Sequence, residues 1–194
     1  TFVVADMLRN GLWLVDAKSD GLSQPGRFDG LGLRGNASTP ITASNVRVPA
    51  SARLGEDGKG FDTMMGVVLP WFSVLSAACS TGLMEGALQG AIGHVGQTRH
   101  VHLGSSLADL PTIRAYLAKG RIKADMAQAL LADTIEAIGA GRADTMLRVL
   151  EVKAAAAETA LEVTDIAMRV CGGAAFRKEA GIERTDAYLT NAVK

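Results

Sequence analysis

From Phe61 to Cys171 the sequence is written in helix-forming residues, and only two short stretches interrupt it. Apolar side chains recur there at helical spacing, and each interruption holds turn residues: "RHVHLGSS" after Thr98 and "GAGRAD" after Ile138. Phe61 to Thr98 is predicted as one long helix, or two joined near Pro70. Leu107 to Ile138 follows, with Asp109 and Pro111 as start signals and Gly139 and Gly141 as stop signals. Asp144 to Cys171 reads as a third helix, with Met146, Val149, Leu150, Leu161, Ile166 and Val170 among its apolar positions. Its run "KAAAAETA" supplies small side chains that let neighbouring helices approach closely. Each long helix must bury an apolar stripe, so a mainly α helical bundle is the expected architecture.

Ahead of Gly60 the pattern changes. Short apolar runs, "TFVVADML", "GLWLVDA" and "ITASNVRVP", alternate with turn residues, which is the pattern of strands. "LGEDGKGF" is a glycine-rich connector. A strand-rich segment is therefore expected ahead of the helical bundle, with the change near Gly60. The strands are too few to close a sheet alone, so the chain is expected to belong to a larger whole.

Twenty Lys and Arg offset twenty Asp and Glu, so no overall field recruits nucleic acid or an anionic membrane. Cys79 and Cys171 lack metal or disulfide-scaffold spacing, which suggests two buried thiols in a reducing compartment. No secretory signal is read in residues 1–15, and a cytoplasmic setting is expected. Met64 to Leu83 is the most apolar stretch, yet Pro70 and several Ser and Thr break it, and basic flanks are lacking. It reads as a buried bundle helix rather than a membrane span.

Chemistry is sparse at the level of single motifs. His94, His100 and His102 have no acidic or cysteine ligand at metal-binding spacing, so no metal site is read. "GLGLRGN" and "GEDGKG" match neither dinucleotide nor P-loop fingerprints. No GxSxG elbow occurs, and Ser38 and Ser80 have no nearby His–acid arrangement. Arg99 falls at the corner after the first long helix. A guanidinium there can grip a phosphate bidentately, or simply favour a helix C-terminus. Gly172 and Gly173 likewise admit two readings: a helix stop, or a place where a phosphate or backbone passes close to the chain.

Taken together, three ordered segments resemble the acyl-CoA dehydrogenase family. "GLGLRGNASTPITASNVRVPASARLGEDGKGF" is similar to the end of that family's middle β-domain and the opening of its bundle, which implies that residues 1–57 are the incomplete end of a β-domain and residues 58–194 a C-terminal domain of four-helix-bundle type. "TRHVHLGSSLADLPTIRAYLA" resembles its Arg-x-x-Phe-Gly-x-x-Leu segment, keeping Arg99 and Gly104, with Leu103 in place of Phe. "MRVCGGAAFRKEAGIER" resembles its Gln-x-x-Gly-Gly segment, with Arg169 where Gln is usual. The resemblance implies FAD as cofactor and an acyl-CoA thioester as substrate, with proton loss at Cα and hydride transfer from Cβ to the flavin. It also implies an electron-transferring flavoprotein as partner, and a homotetramer or homodimer. It assigns Arg99, Gly104, Arg169, Gly172 and Gly173 to the cofactor. Trp71 and Phe72 become candidate acyl-pocket residues, although core packing is the simpler role for a Trp–Phe pair.

The match breaks where the base should be. In the first bundle helix the family's carboxylate register falls on Phe72 and a customary arginine on Ser73. Downstream, "GIERTDAYLTNAVK" stands where the family places Arg-Asp-Ala and a catalytic loop. Two alignments compete: Thr185-Asp186-Ala187 is a degraded Arg-Asp-Ala, or, as preferred, a loop is missing between Arg184 and Thr185; under either, no catalytic residue is named. A catalytically inactive helical scaffold or acyl-CoA-binding relative is the alternative.

Overall fold

The computed structural model describes residues 2–6, 11–24, 26, 39–178 and 181–182. The chain divides into two compact units, with the change at Trp71 and Phe72. The junction at Arg184–Thr185 and most of "GLGLRGN" lie outside the described residues.

In the first unit, β1 (Phe2–Asp6) and β2 (Gly11–Val15) pair antiparallel from Phe2↔Val15 to Asp6↔Gly11, and β5 (Arg53–Leu54) joins the other edge of β2. Leu12 and Val15 are buried. A second, two-stranded ladder joins β3 (Leu22–Ser23) to β4 (Thr42–Ala43). The run predicted as one strand, "ITASNVRVP", thus forms a strand only at Thr42–Ala43, because Asn45 turns the chain with φ 54°. After the connector, α1 (Gly60–Thr63) passes into a π turn at Met64–Val68.

Among the described residues, the second unit is built on three long helices. Helix α2 (Leu69–Gln97) continues directly from the π turn at Met64–Val68, and Pro70, which has no N–H to donate, falls where the wider π turn gives way to the α ladder. Then come α3 (Pro111–Ala140) and α4 (Thr145–Cys171). Pro111 occupies the first turn of α3, and Gly141 closes it in the left-handed conformation at φ 60°.

Three layers of core run along the bundle. Ala77 meets Leu131, Val152 and Ala156 at one end. Met84 and Leu88 meet Ala124, Ala127, Ala160 and Val163 in the middle. Ala87, Ala91 and Val95 meet Ala167, Val170, Cys171, Ala175 and Ile182 at the other end. Helices α2 and α4 therefore run parallel, with α3 antiparallel to both. The alanines permit close contact, most tightly at Gly120, where a Cβ would stand 2.9 Å from Leu88 Cδ2 and 3.4 Å from Ile166 Cγ2.

Two expectations are corrected. Cys171 is buried, and burial pushes its thiol pKa up, but Cys79 is exposed because its face of α2 has no neighbour among the described residues. The stretch Met64–Leu83 is not uniformly buried either: Met64, Met65, Val67, Val68 and Leu75 are exposed. Gly60–Gln97 has the length and apolarity to cross a bilayer, yet Ala77, Met84, Leu88, Ala91 and Val95 build its distal part into the core.

Candidate functional site

The third core layer fixes one end of the bundle, and the sequence-predicted cofactor residues gather there. Past Val95, α2 ends at Gln97 and the chain turns into a small hairpin, β6 (Arg99–His100) and β7 (Ser105–Ser106). Arg99 pairs with Ser106 across the ladder, and Leu107 N–H closes the corner by donating to Thr98 O at 3.0 Å. Gly104 ends the 3-10 turn Val101–Leu103 at φ 62°. Ser106 then caps the 3-10 turn Leu107–Asp109 that leads into α3: the Asp109 N–H donates to the Ser106 side chain, while the Ser106 N–H and hydroxyl donate to Asp109 Oδ2 at 2.7 and 3.0 Å. Those bonds hold the Asp109 carboxyl below its ordinary pKa, and the nearby charges of Arg114 and Arg99 act in the same direction.

Arg99 itself is exposed and forms no ion pair among the described residues. By contrast, Arg114 is spent on Ala108 O at 2.7 Å and on Asp109. Val101 and Leu103 stand out at the hairpin tip, 90% and 67% exposed.

On the other side of the same layer, α4 ends at Cys171. Gly172 adopts φ 54° and ψ −138°, a conformation open in practice only to glycine. Gly173 carries no such requirement. A Cβ added to either residue would meet nothing within 4 Å. The double glycine therefore combines a backbone need at Gly172 with open space in front of both positions. Arg169 is held differently from Arg99: its Nε donates to Asp165 Oδ2 at 2.6 Å, one turn back along α4, so its charge is already matched on its own helix.

The acyl-pocket candidates stand elsewhere. Phe72 lies beyond the first core layer, at the opposite end of α2, where the ammonium of Lys153 sits 5.6 Å from its ring centre. Trp71 and Phe72 are 64% and 56% exposed, so core packing among the described residues is not their role. Ser73, in the customary arginine position, points inward and is 1% exposed. With no carboxylate at Phe72, that turn offers no base. Among the described residues no three potential metal ligands cluster; His100 and His102 meet ring edge to face at 6.1 Å. Sequence reasoning missed Ser106 as the cap that sets the hairpin and Lys153 as the partner of Phe72.

Residues 58–191 match the family model for the acyl-CoA dehydrogenase C-terminal domain. Cyclohex-1-ene-1-carbonyl-CoA dehydrogenase of Geobacter metallireducens is 31% identical over 92% of this chain and 47% of its own length. Acryloyl-CoA reductase (NADH) of Anaerotignum propionicum is 30% identical over 82% of this chain and 40% of its own. The structure of butyryl-CoA dehydrogenase from Megasphaera elsdenii superposes with a TM-score of 0.86 at 23% identity, over 94% of this chain and 46% of that one. The chain thus spans about half the length of the relatives it matches. Proteins of this family are FAD-binding flavoproteins. With its helical C-terminal domain matched across most of its length, the chain belongs to the acyl-CoA dehydrogenase family.

Proposed function

We propose that the polypeptide containing this chain is an FAD-dependent enzyme that introduces an α,β double bond into an acyl-CoA thioester. The observation that carries the reading is the shared bundle end: an uncommitted guanidinium at Arg99 and a side-chain-free, open turn at Gly172–Gly173. Arg99 would hold the diphosphate by a charge-assisted, two-pronged contact. Gly104, Gly172 and Gly173 would let the dinucleotide pass close to the backbone, and Arg169 would add field rather than a direct contact. When bound, FAD supplies the hydride acceptor for the β hydrogen. The α proton goes to a carboxylate that lies outside the described residues.

Phe72 and Arg99 sit at opposite ends of α2, roughly 40 Å apart by the 1.5 Å rise per residue. One flavin dinucleotide is far shorter. If both positions serve one active site, they come from neighbouring copies, which favours a homodimer or homotetramer with cofactors shared across the interface. An electron-transferring flavoprotein is the expected electron acceptor, and the bundle core favours a soluble role for Gly60–Gln97 over a membrane span. The decisive experiment is anaerobic addition of an acyl-CoA to the FAD-loaded full-length polypeptide. Bleaching of the visible flavin band supports the dehydrogenase. A flavin that binds but never bleaches with any acyl-CoA supports the inactive relative, which the aromatic at Phe72 favours.

A further inference from the structure

Lys153 has no role in the cofactor end. Its neighbours at helical pairing distance, Val149, Leu150, Ala156 and Ala157, are all apolar, so its own helix offers it no carboxylate. Lys123, on α3, reaches across to Glu162 instead. Among the described residues Lys153 forms no ion pair, and its ammonium stands over the Phe72 ring at a cation–π distance. The surroundings are apolar and open: Leu75 lies one turn along α2, and Leu150 and Met146 lie one and two turns back along α4, all exposed.

A half-buried cation on an apolar floor is matched best by a ligand that is itself apolar with one anionic end. A plain acyl chain laid over Phe72 would cover the ammonium and give it no partner, at a desolvation cost. A chain that ends in a carboxylate would satisfy it with a charge-assisted hydrogen bond. The turn that lacks a protein carboxylate at Phe72 thus presents a cation to the ligand.

We propose that Lys153 determines substrate specificity, selecting an acyl thioester that carries a second, distal carboxylate. This rests on the reading of Phe72 as an acyl-site residue. The test is calorimetric binding of glutaryl-CoA and pentanoyl-CoA, equal in carbon number, to the FAD-loaded full-length polypeptide. The diacid thioester is expected to bind about tenfold to a hundredfold tighter, the worth of one hydrogen bond between charged groups. Lys153→Met should bring that ratio close to one and Lys153→Arg should keep it, with bound FAD in each variant reporting an intact fold. Equal binding by the unaltered protein, as when a protein carboxylate already pairs with Lys153, overturns this proposal alone. So does a ratio that survives Lys153→Met. Binding of neither thioester overturns the acyl-site reading as well.

Discussion

Gly172 and Gly173 are adjacent and chemically identical, yet the structure gives them different work. Gly172 sits at φ 54° and ψ −138°, so Gly172→Ala should cost about 1–3 kcal/mol of backbone strain, read as a lower midpoint in chemical denaturation. Gly173 has neither a positive φ nor a neighbour for a Cβ, so the fold tolerates a side chain there. Gly120 is a third case. A branched side chain would collide with Leu88 and Ile166 in a closed core, and Gly120→Val should destabilise by about 1–3 kcal/mol through overpacking. Gly139→Ala faces open space near the end of α3 and should gain up to about 1 kcal/mol from helix propensity. The sequence marks all four as glycines in or after helices. Only the coordinates separate the stop, the open turn, the close crossing and the idle position, because the difference lies in what surrounds each Cα.

At the level of elements, helix ends are fixed by short polar networks. Ser106→Ala removes the hydroxyl part of the cap on the Leu107–Asp109 turn ahead of α3 while keeping its main-chain bond, and should cost about 0.5–1 kcal/mol, seen in thermal unfolding. The α3–α4 turn is clamped by Arg142, whose Nη1 donates to Asp133 Oδ1 at 2.6 Å and whose Nη2 donates to Asp144 Oδ2 at 2.8 Å. Arg148 adds contacts to the same two aspartates and to Glu151. The hydrogen bond from Arg142 holds the Asp144 carboxyl below its ordinary pKa. A depressed carboxylate stabilises the fold above its unfolded pKa, about 4, and loses that contribution as the pH falls through the folded value. Tm should therefore drop as the pH is lowered below about 4, and Arg142→Met should flatten that dependence. A profile unchanged by the substitution would contradict the clamp. The helices themselves are readable in advance: periodicity, Pro111 and Gly141 set their limits to within a few residues. The hairpin Arg99–Ser106 is not, since its strands are only two residues long and carry no readable β pattern. Exposure was also misjudged for Trp71, Phe72 and Cys79, because an apolar residue on a helix announces a buried face without saying which chain buries it.

For the whole molecule, much apolar surface is left open among the described residues. Ile122, Met126, Ile135 and Leu147, which the acyl site does not use, are all more than half exposed in a chain that spans about half of its relatives, and large apolar side chains left open on a soluble protein mark interaction surfaces when they adjoin. The FAD-loaded full-length polypeptide should run as a dimer or larger in light scattering, and a monomer that binds FAD would remove the case for a shared cofactor. The most direct measurement is FAD affinity in Arg99→Gln and Gly173→Val, taken beside their unfolding midpoints. With an exposed side chain at one position and open space at the other, neither substitution should shift the midpoint appreciably, while both should weaken FAD binding at least tenfold, the scale of one lost charge-assisted contact. Full FAD affinity in both variants would contradict the account, because the corner arginine and the open turn would then hold nothing.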